Sequence, residues 1–582
     1  MWEYNRKRQQ NLSPKDESCA KKFYDSKYVT FIIEYSGDII KALEPIDYAC
    51  AFIIDKNLAA LIVENDRIEE LVKEVKEIRY VAGAFPYTLN DLSPLDVANI
   101  TKFHTSPYLK LTGQGVIVGI LDTGIDYLND EFCYEDGTTR ILGIWDQSIE
   151  ETIVDPTVIL GSYYSRKEIN KALEAKRRGE DPYAIVPSKD LVGHGTKMAG
   201  IIGARGKNPE IIGGAPSCEF AVVKLKPSFL TDNGEPVYAQ ADILLGLKYF
   251  QYLTETQNNP IVIYLPVGSN LGSHDGNNLL ERYIDRLSEV RATMVVTSTG
   301  NEGNQETHTS GRLEKTGDIK TIEIRVSPTQ SSIFIEIWGN KPDKIALSII
   351  SPSGEVVEKL PAKLLKTEEI KFVYEGSKAT ITYYLPEEIT GDELISIRIK
   401  DLKPGIWQFR LIGEYIVNGR YDAYIPQRIL LKGDTRFLNS TSETTLTTPS
   451  TSRQIITTGF YNQTNNAIVA ASGRGYTRDN RIKPDLAAGG VNAKTIAPGG
   501  QIVTVTGGSV ASAVLASACA LLFQWGVVDG NDPYIYAQKM KSYLIGGTSK
   551  RKGDIYPNPE WGYGTLNLEG VFDNIRSLSR ET

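Results

Sequence analysis

The sequence predicts an α/β protein that is built on a doubly wound parallel sheet, with an all-β domain inserted into it and a small α+β module ahead of it. Short, continuously apolar runs alternate with helical patterns over residues 93–311, and this alternation resumes over residues 441–582. Such runs are typical of parallel strands that are covered on both faces. Residues 312–440 instead alternate apolar and polar side chains with period two, which is typical of antiparallel strands. We therefore expect two halves of one α/β domain, separated by a β-sandwich or jelly roll.

Chain composition restricts the classes of function. A chain of 582 residues is too long to fold around a single hydrophobic core, so several domains are expected. The net charge of −8 gives no basic surface for nucleic acid, and no uninterrupted apolar run of membrane-spanning length is evident. Residues 1–10 are rich in polar and charged side chains and lack the apolar core of a signal peptide. We expect synthesis in the cytoplasm, with no nucleic-acid partner and no membrane span.

The five cysteines predict free thiols. They are odd in number, lie far apart and include no Cys-x-x-Cys pair; they are Cys19, Cys50, Cys133, Cys218 and Cys519. This pattern favours reduced side chains in a reducing compartment, without a disulfide framework or a cysteine metal site. No acidic cluster has the ligand spacing of a calcium site. No cofactor or metal is therefore expected.

The N-terminal region divides into a tail and a module. Residues 1–26 are polar and rich in lysine, aspartate and serine, and we expect a loosely ordered tail. Residues 27–92 form the α+β module, with predicted strands at 28–35, 49–54, 59–63 and 78–82 and a predicted helix at 66–75. Phe85 precedes Pro86, and the residue before a proline avoids the helical region, so an extended exit towards Asn90 is expected.

The first candidate functional residue is Asp122. It follows residues 116–121, a continuously apolar run that predicts a central parallel strand. Ligands in open α/β sheets bind outside the carboxyl ends of the strands, so a carboxylate at this position is a candidate site residue. Thr123-Gly124 supplies the tight turn that follows. A structural turn aspartate is the alternative, and we assign that role to Asp126.

His194 is the second candidate. It lies between two glycines and opens a helix of small residues, so other groups can approach the imidazole. The other histidines lack such a setting, and we expect surface or loop positions for them; they are His104, His274 and His308. The polar stretch before His194, residues 146–190, is interpreted as a solvated excursion that contains a charged helix at residues 166–178.

Ser509 and Asn301 are the remaining candidates. Gly507-Gly508 precedes Ser509 and a run of alanine and serine follows it, which predicts a turn into a deeply packed helix. A hydroxyl at a helix N-terminus lies close to unpaired N–H groups. Asn301 lies between glycines after an apolar run, where its side-chain amide can donate to a site at the edge of the sheet. Plain turns are the alternatives for both residues.

The inserted domain contains about eight short β-rich runs separated by turns such as Pro352-Ser353-Gly354. Trp338 and Trp407 lie within these runs. Aromatic residues at strand positions favour a core role over a carbohydrate-binding surface, so no function is assigned to them.

The four candidate residues together suit nucleophilic catalysis. A serine hydroxyl becomes a useful nucleophile when a base removes its proton, and an imidazole has a suitable pKa near neutrality. A carboxylate fixes the imidazole tautomer and stabilises the imidazolium. The Asn301 amide and the backbone N–H of Ser509 would then stabilise an oxyanion.

The sequence resembles the subtilisin-like serine proteases at four motifs. In chain order they are Asp122-Thr123-Gly124, Gly193-His194-Gly195-Thr196, Asn301-Glu302-Gly303 and Gly508-Ser509-Val510-Ala511. The resemblance covers residues 98–311 and 441–575. It implies a subtilisin-like sheet and a catalytic triad of Asp122, His194 and Ser509.

The resemblance also implies roles for residues around the triad. Asn301 would donate to the oxyanion, and substrate would bind at Val267, Gly268, Ser269 and Gly300. The domain layout further resembles the Csp-type germination proteases of spore-forming bacteria. That resemblance implies a prodomain at residues 27–92, which the enzyme cleaves near residues 85–90, after Asn90, and which stays docked.

The same resemblance implies a biological setting. The substrate would be the proform of a spore-cortex hydrolase, the protein would be packaged in the spore, and related protease-fold proteins would be further partners. The alternative is a catalytically weak or inactive regulator of germination, acting as a germinant sensor or a scaffold.

Four departures from the family pattern motivate this alternative. Gly508 replaces the usual threonine and adds backbone freedom next to the nucleophile. Ala513 replaces a proline, and Lys197-Met198 replaces His-Val. Pro266 lies in the substrate segment and has no N–H to donate.

Overall fold

The computed structural model describes residues 14–82, 92–150 and 160–580, and it divides the chain into two compact units, Met1–Asn90 and Asp91–Thr582. Each unit has its own hydrophobic core. The predicted extended exit at residues 85–90, with the predicted cleavage site at Asn90, lies outside the described residues.

The first unit is a four-stranded antiparallel sheet with helices. Its strands are β1 (Tyr28–Tyr35), β2 (Ala49–Asp55), β3 (Leu58–Glu64) and β4 (Ile78–Val81). Its helices are α1 (Pro14–Phe23), α2 (Ile39–Ala42) and α3 (Ile68–Glu74). The strands are ordered β2-β3-β1-β4, and each neighbouring pair is antiparallel. Ile33, Leu61 and Leu71 are fully buried in its core, as their apolar runs predict.

Two expectations for the N-terminal region are wrong. Residues 14–23 form helix α1 rather than loosely ordered chain, and a disulfide joins Cys19 of this helix to Cys50 of β2. The helix is hidden in the sequence because its polar and charged residues give little apolar periodicity. The pairing is hidden because the two cysteines are separated by 31 residues and belong to no local motif.

The second unit opens with the first half of the α/β domain. Its strands are β5 (Ile117–Asp122), β6 (Ile141–Asp146), β7 (Ser162–Ser165), β8 (Glu219–Lys224), β9 (Pro227–Leu230), β10 (Pro236–Tyr238), β11 (Ile261–Tyr264) and β12 (Thr293–Ser298). Its helices are α4 (Pro94–Val97), α5 (Arg166–Arg177), α6 (His194–Gly203), α7 (Gln240–Thr256) and α8 (Leu279–Leu287).

An antiparallel two-sheet sandwich follows. Its strands are β13 (His308–Arg312), β14 (Ile319–Val326), β15 (Ser332–Gly339), β16 (Lys344–Ile350), β17 (Val356–Leu360), β18 (Thr367–Lys371), β19 (Lys378–Tyr384), β20 (Glu393–Lys400), β21 (Gly405–Tyr415), β22 (Arg420–Tyr424) and β23 (Arg436–Phe437). One sheet has the order β13-β22-β15-β20-β19-β18 and the other the order β17-β16-β21-β14-β23. Alternate side chains of both sheets, among them Ile335, Ile349 and Trp407, fill the core between them. Connectivity of the jelly-roll type stays a prediction.

The chain then returns to the α/β domain. The remaining elements are β24 (Ile456–Asn462), β25 (Ala467–Ile468), β26 (Leu486–Gly489), β27 (Ala493–Ile496), β28 (Ile502–Val505), α9 (Gly508–Phe523), α10 (Ala537–Gly546) and α11 (Leu568–Arg580). The central sheet has the order β25-β24-β12-β11-β5-β8-β6-β7, with β26 beside β24, and its inner pairs are parallel. Strand β5 lies at its middle. Val118 belongs to the core on one face and Ile117 to the core on the other, so the sheet is covered on both faces as predicted.

Helix α9 is the buried centre of the α/β domain. It packs against α6 and against strands β11, β12, β24 and β26. Its alanine and serine side chains are small, which lets the surrounding elements approach closely. The helical stretch Gly508–Val528 is long and apolar enough to cross a membrane, but 89% of its apolar 18-residue window is buried inside the protein. The apolar composition therefore fits a core helix.

Two further expectations need correction. Helix α5 buries one face, including Ile169, Ala172 and Leu173, so this part of the excursion belongs to the fold rather than to solvent. His104, His274 and His308 are all buried, so surface positions are wrong for them, although His104 and His274 do lie in loops and His308 opens β13. Each ring has at least one hydrogen-bond partner inside the protein. For example, His274 Nδ1 lies 2.7 Å from the carbonyl oxygen of Leu446.

Candidate active site

Asp122 and His194 form a hydrogen-bonded pair. Asp122 is the last residue of β5 and His194 is the first residue of α6. The Nδ1 atom of His194 lies 2.8 Å from Asp122 Oδ2 and 2.9 Å from Oδ1. Because Nδ1–H donates to this carboxylate, Nε2 is the nitrogen available to a nucleophile.

The surroundings of the pair set the basicity of the imidazole. The Asp122 side chain is 3% exposed, whereas that of His194 is 36% exposed. Burial lowers the pKa of His194, but the charge of Asp122 and the hydrogen bond to it more than offset this effect, so the pKa is raised above its ordinary value. The pair therefore suits a general base that becomes an imidazolium during the reaction.

Asp190 joins the turn after Asp122 to the helix that begins at His194, a role that the sequence analysis does not assign. One of its carboxylate oxygens accepts from the Thr123 hydroxyl and the Gly193 N–H, both at 2.7 Å. The other oxygen accepts from the Thr196 N–H at 2.9 Å and from the Thr196 hydroxyl at 2.6 Å. Gly193 occupies the N-cap position and has no side chain, so Asp190 caps the helix from three residues further back.

Ser509 is the second residue of α9. Its backbone carbonyl accepts from the Tyr264 hydroxyl at 2.8 Å and from the Ser512 hydroxyl at 3.1 Å. Ser509 lies at the N-terminus of α9 and His194 at the N-terminus of α6. These two helices pack against each other. Within the described ranges, the Ser509 hydroxyl forms no hydrogen bond with His194. Such bonds are often long in a free enzyme and tighten when substrate binds.

Asn301 is joined to the N-terminus of α9. Its side-chain carbonyl oxygen accepts from the backbone N–H of Gly508 at 3.2 Å. Since that contact engages the oxygen of the amide, the NH₂ group is the part that remains to donate. The residue is exposed. The contact thus places an N–H donor next to Ser509, which is what stabilisation of an oxyanion requires.

Gly508 also has a packing role, which the sequence analysis does not assign to it. It is buried as the first residue of α9, and its φ lies outside the left-handed region. A Cβ atom at this position would lie 2.8 Å from Ser298 Oγ and 3.0 Å from Ser298 Cβ. Ser298 therefore occupies the space that a larger residue before Ser509 would need.

The residues predicted to bind substrate converge on a side chain that the sequence analysis does not single out. An ideal Cβ at either Gly268 or Gly300 would lie 2.5 Å from Thr447 Oγ1. Ser269 and Thr448 exchange two backbone hydrogen bonds of 2.8 Å, which attach the Thr447 segment to the substrate segment. Val267 lies half buried in this segment.

Metal ligands do not cluster in the part of the chain that the structure describes. No group of three or more His, Cys, Asp or Glu side chains there has the geometry to hold a metal ion. The buried carboxylate of Glu131, for example, binds backbone N–H groups rather than forming part of a metal site. It accepts from the backbone N–H groups of Gly206, Lys207 and Asn208 at 2.7, 3.1 and 2.7 Å.

The family comparison agrees with this geometry. A family model described as Subtilase family, Peptidase_S8, matches residues 113–328 and 432–564. These ranges contain Asp122, His194, Asn301 and Ser509. They leave out most of the two-sheet sandwich. No curated protein sequence matches this chain.

Two solved structures illustrate the likeness. The CspB protease of Clostridium perfringens is 31% identical and superposes with a TM-score of 0.74, over 83% of this chain and 97% of that chain. The epidermin leader peptide processing serine protease EpiP of Staphylococcus aureus is 15% identical with a TM-score of 0.40, over 94% of this chain and 98% of that chain. The second likeness is too distant to carry an argument.

Proposed function

The chain belongs to the subtilase family of serine peptidases, and we propose that it is an active serine endopeptidase with Asp122, His194 and Ser509 as its catalytic triad. One observation carries the proposal. The Nδ1 atom of His194 is fixed by both oxygens of Asp122, at the N-terminus of a helix that packs against the helix of Ser509. This arrangement prepares Nε2 to accept the serine proton.

The reaction follows from these positions. His194 Nε2 removes the proton of the Ser509 hydroxyl as the oxygen attacks the scissile carbonyl carbon. The negative oxygen that forms accepts from the Asn301 NH₂ group and the Ser509 N–H, and one such donor contributes about 3–4 kcal/mol. His194 then passes its proton to the leaving amine, and water hydrolyses the acyl-enzyme by the same route. Asp122 stabilises the imidazolium throughout.

The enzyme also processes itself and has a protein substrate. It cleaves near residues 85–90, after Asn90, and the released N-terminal unit remains a partner. The substrate is the proform of a spore-cortex hydrolase, and the enzyme acts in the spore, with related protease-fold proteins as further partners. Two points support this part of the proposal: the likeness to the CspB protease, and the division of the chain into compact units at Asn90.

The regulator function remains the second candidate. One observation favours it: Pro266 has no N–H, so it removes one backbone donor from the substrate segment. A regulator would keep the fold and bind a partner without cleaving it.

Self-processing distinguishes the two candidates. Wild-type protein should yield a fragment of residues 1–90 by intact mass, whereas Ser509→Ala should remain one uncut chain. Ser517→Ala is the matched control, because this serine lies fully buried in the same helix and away from the N-terminus. Wild-type protein that stays whole under conditions where it is folded would favour the regulator.

A further inference from the structure

The side chain of Gln427 occupies one edge of the segment that follows β11. Its Nε2 atom donates to the carbonyl oxygen of Gly268 at 3.3 Å, and its Oε1 atom accepts from the N–H of Asn270 at 3.3 Å. One carboxamide, from the chain that follows β22, is thus bonded to the two backbone groups that flank Ser269. A peptide strand that paired with this edge would need the same two groups.

The opposite edge of the same segment is already paired. Ser269 and Thr448 exchange two backbone hydrogen bonds of 2.8 Å. Next to such a pair the backbone groups of the neighbouring residues face the other way, so those of Gly268 and Asn270 face the edge where Gln427 lies. Within the described part of the chain, the Gly268 N–H forms no hydrogen bond. An edge with open backbone groups of this kind suits an added peptide strand.

This edge leads to the reacting groups. Strand β11 lies between β5 and β12 and is parallel to both, so their carboxyl ends meet at one side of the sheet. Asp122 ends β5, and Tyr264, which ends β11, donates to the Ser509 carbonyl at 2.8 Å. A peptide that is attacked by Ser509 therefore passes beside residues 266–270. The part that stays there through both steps of the reaction is the acyl side, because the amine leaves after the first step.

The backbone on either side of Gln427 is fixed. The Ile425 carbonyl accepts from the Asn270 side chain at 2.8 Å. The Arg428 N–H lies 3.2 and 3.3 Å from the two carboxylate oxygens of Glu302. The carboxamide of Gln427 can therefore leave the edge by side-chain rotation, without a movement of the sandwich. Both of its own bonds are at the long end of the usual range, so a well-aligned peptide can compete with them.

We propose that Gln427 is a specificity-determining residue that closes this edge from Gly268 onwards, so that the enzyme recognises only a short stretch on the acyl side of its substrate. The inference rests on the proposed protease activity and concerns the length of peptide that the same site accepts. A peptide that reaches Gly268 must first displace the carboxamide, and it then exchanges one set of hydrogen bonds for another. Its extra residues therefore add little to binding.

A brace for the substrate segment is the alternative role of these contacts. Loss of a brace would disturb the segment for every substrate, and it would change the reaction rate of short and long peptides alike. Loss of an edge cap changes the rate only for peptides that reach Gly268. The dependence of the rate on peptide length therefore separates the two roles.

A series of peptidyl phosphonates tests the inference on the full-length protein. These reagents are built from alanine, grow on the acyl side from a dipeptide to a hexapeptide, and label a reactive serine, so intact mass gives the rate of labelling at Ser509. In the wild type we expect the rate to level off before the hexapeptide. Gln427→Ala should leave the rate of the dipeptide within about twofold. It should speed the hexapeptide by about fivefold or more, since each new backbone hydrogen bond is worth about 2- to 10-fold.

Gln330→Ala is the matched control. The Gln330 carboxamide also bonds to two backbone groups, the Ser332 carbonyl and the Lys432 N–H, both at 2.6 Å. Both partners belong to residues 312–440 and not to the substrate segment. This variant should therefore keep the length dependence of the wild type.

The outcomes keep this inference separate from the proposed function. A wild-type rate that still rises at the hexapeptide, or a Gln427→Ala rate that differs from the wild type by the same factor at every length, overturns the edge cap and leaves the protease function standing. Labelling of Ser509 by a fluorophosphonate but by no peptidyl phosphonate does the same. Failure of both kinds of reagent to label a folded wild-type protein overturns the proposed function itself.

Discussion

The Tyr264 hydroxyl donates a hydrogen bond of 2.8 Å to the backbone carbonyl of Ser509. Tyr264 ends β11 and is fully buried, so its ring is a rigid support beneath the first turn of α9. The Ser512 hydroxyl donates to the same carbonyl from inside the helix. The nucleophile is thus positioned from the sheet as well as from its own helix.

Removal of this support should slow acylation. Tyr264→Phe keeps the ring but removes one neutral hydrogen bond, so we expect kcat to fall by about 2- to 10-fold with KM unchanged. Steady-state and burst kinetics measure both quantities, and thermal unfolding reports any loss of packing. Ser512→Ala is the comparison variant, since it removes the second hydroxyl that donates to the same oxygen. Full kcat in Tyr264→Phe would show that the sheet contact does not position Ser509.

Substitutions at Ser298 and Gly508 should have coupled effects, because the two residues share one contact. Gly508→Ala places a Cβ against the Ser298 side chain, and overpacking of this kind costs about 1–3 kcal/mol. We expect labelling of Ser509 by a fluorophosphonate to slow by about 5-fold or more in this variant. Ser298→Ala removes the closest atom and should restore at least half of the loss in the double variant. Additive effects of the two substitutions would contradict a shared contact.

Asn301 should affect the rate of reaction rather than the fold. Asn301→Ala removes the NH₂ donor and should reduce kcat by about 100-fold or more. It should leave the melting temperature within about 2 °C, since the residue is exposed and loses one hydrogen bond to Gly508. Single-turnover kinetics and calorimetry measure the two effects. Self-processing at the wild-type rate in this variant would rule out the oxyanion role.

The raised pKa of His194 predicts opposite pH dependences for activity and stability. The base must be neutral, so kcat/KM should rise with pH through a midpoint above the ordinary histidine value of about 6.5. The pairing of a protonated His194 with Asp122 favours the folded state. This stabilisation is fully present below about pH 6.5 and is lost as the pH rises through the raised pKa.

Two measurements check these directions. A pH–rate profile gives the activity midpoint, and Asp122→Asn should lower it because the negative charge that raises the pKa is gone. Thermal unfolding of Ser509→Ala, which avoids self-digestion, should show the stability loss over the same interval, and His194→Ala in that background should remove it. A midpoint below the ordinary histidine value in the wild type would contradict the Asp122 pairing.

The site residues that could be identified from the sequence are those whose characteristic neighbours lie close to them in the chain. Asp122 follows an apolar run, and His194 and Ser509 each follow glycine at the start of a small-residue helix, so a short window contains the pattern. The sheet is predictable for the same reason. The order of these residues in the chain could then be interpreted, because it matches the order of the motifs in a known family.

The missed features depend on contacts between distant segments. Thr447 contacts Gly268 and Gly300 only in the folded protein. The residues next to it in the sequence form no motif that would identify it. Asp190 caps α6 from three residues before the N-cap, through bonds that also reach Thr123. The buried histidines and the Cys19–Cys50 disulfide were misjudged for the same reason, because pairing across the fold is not encoded in a local window.

Labelling of Ser509 by a fluorophosphonate tests the central claim most directly, since only an activated serine reacts at an appreciable rate. Mass spectrometry of the labelled peptide identifies the site, and His194→Ala and Ser509→Ala are the controls. We expect stoichiometric labelling at Ser509 in the wild type, a rate lower by about 1,000-fold or more in His194→Ala, and none at this position in Ser509→Ala. A folded wild-type protein whose Ser509 remains unlabelled, or is labelled equally fast without His194, would contradict the triad.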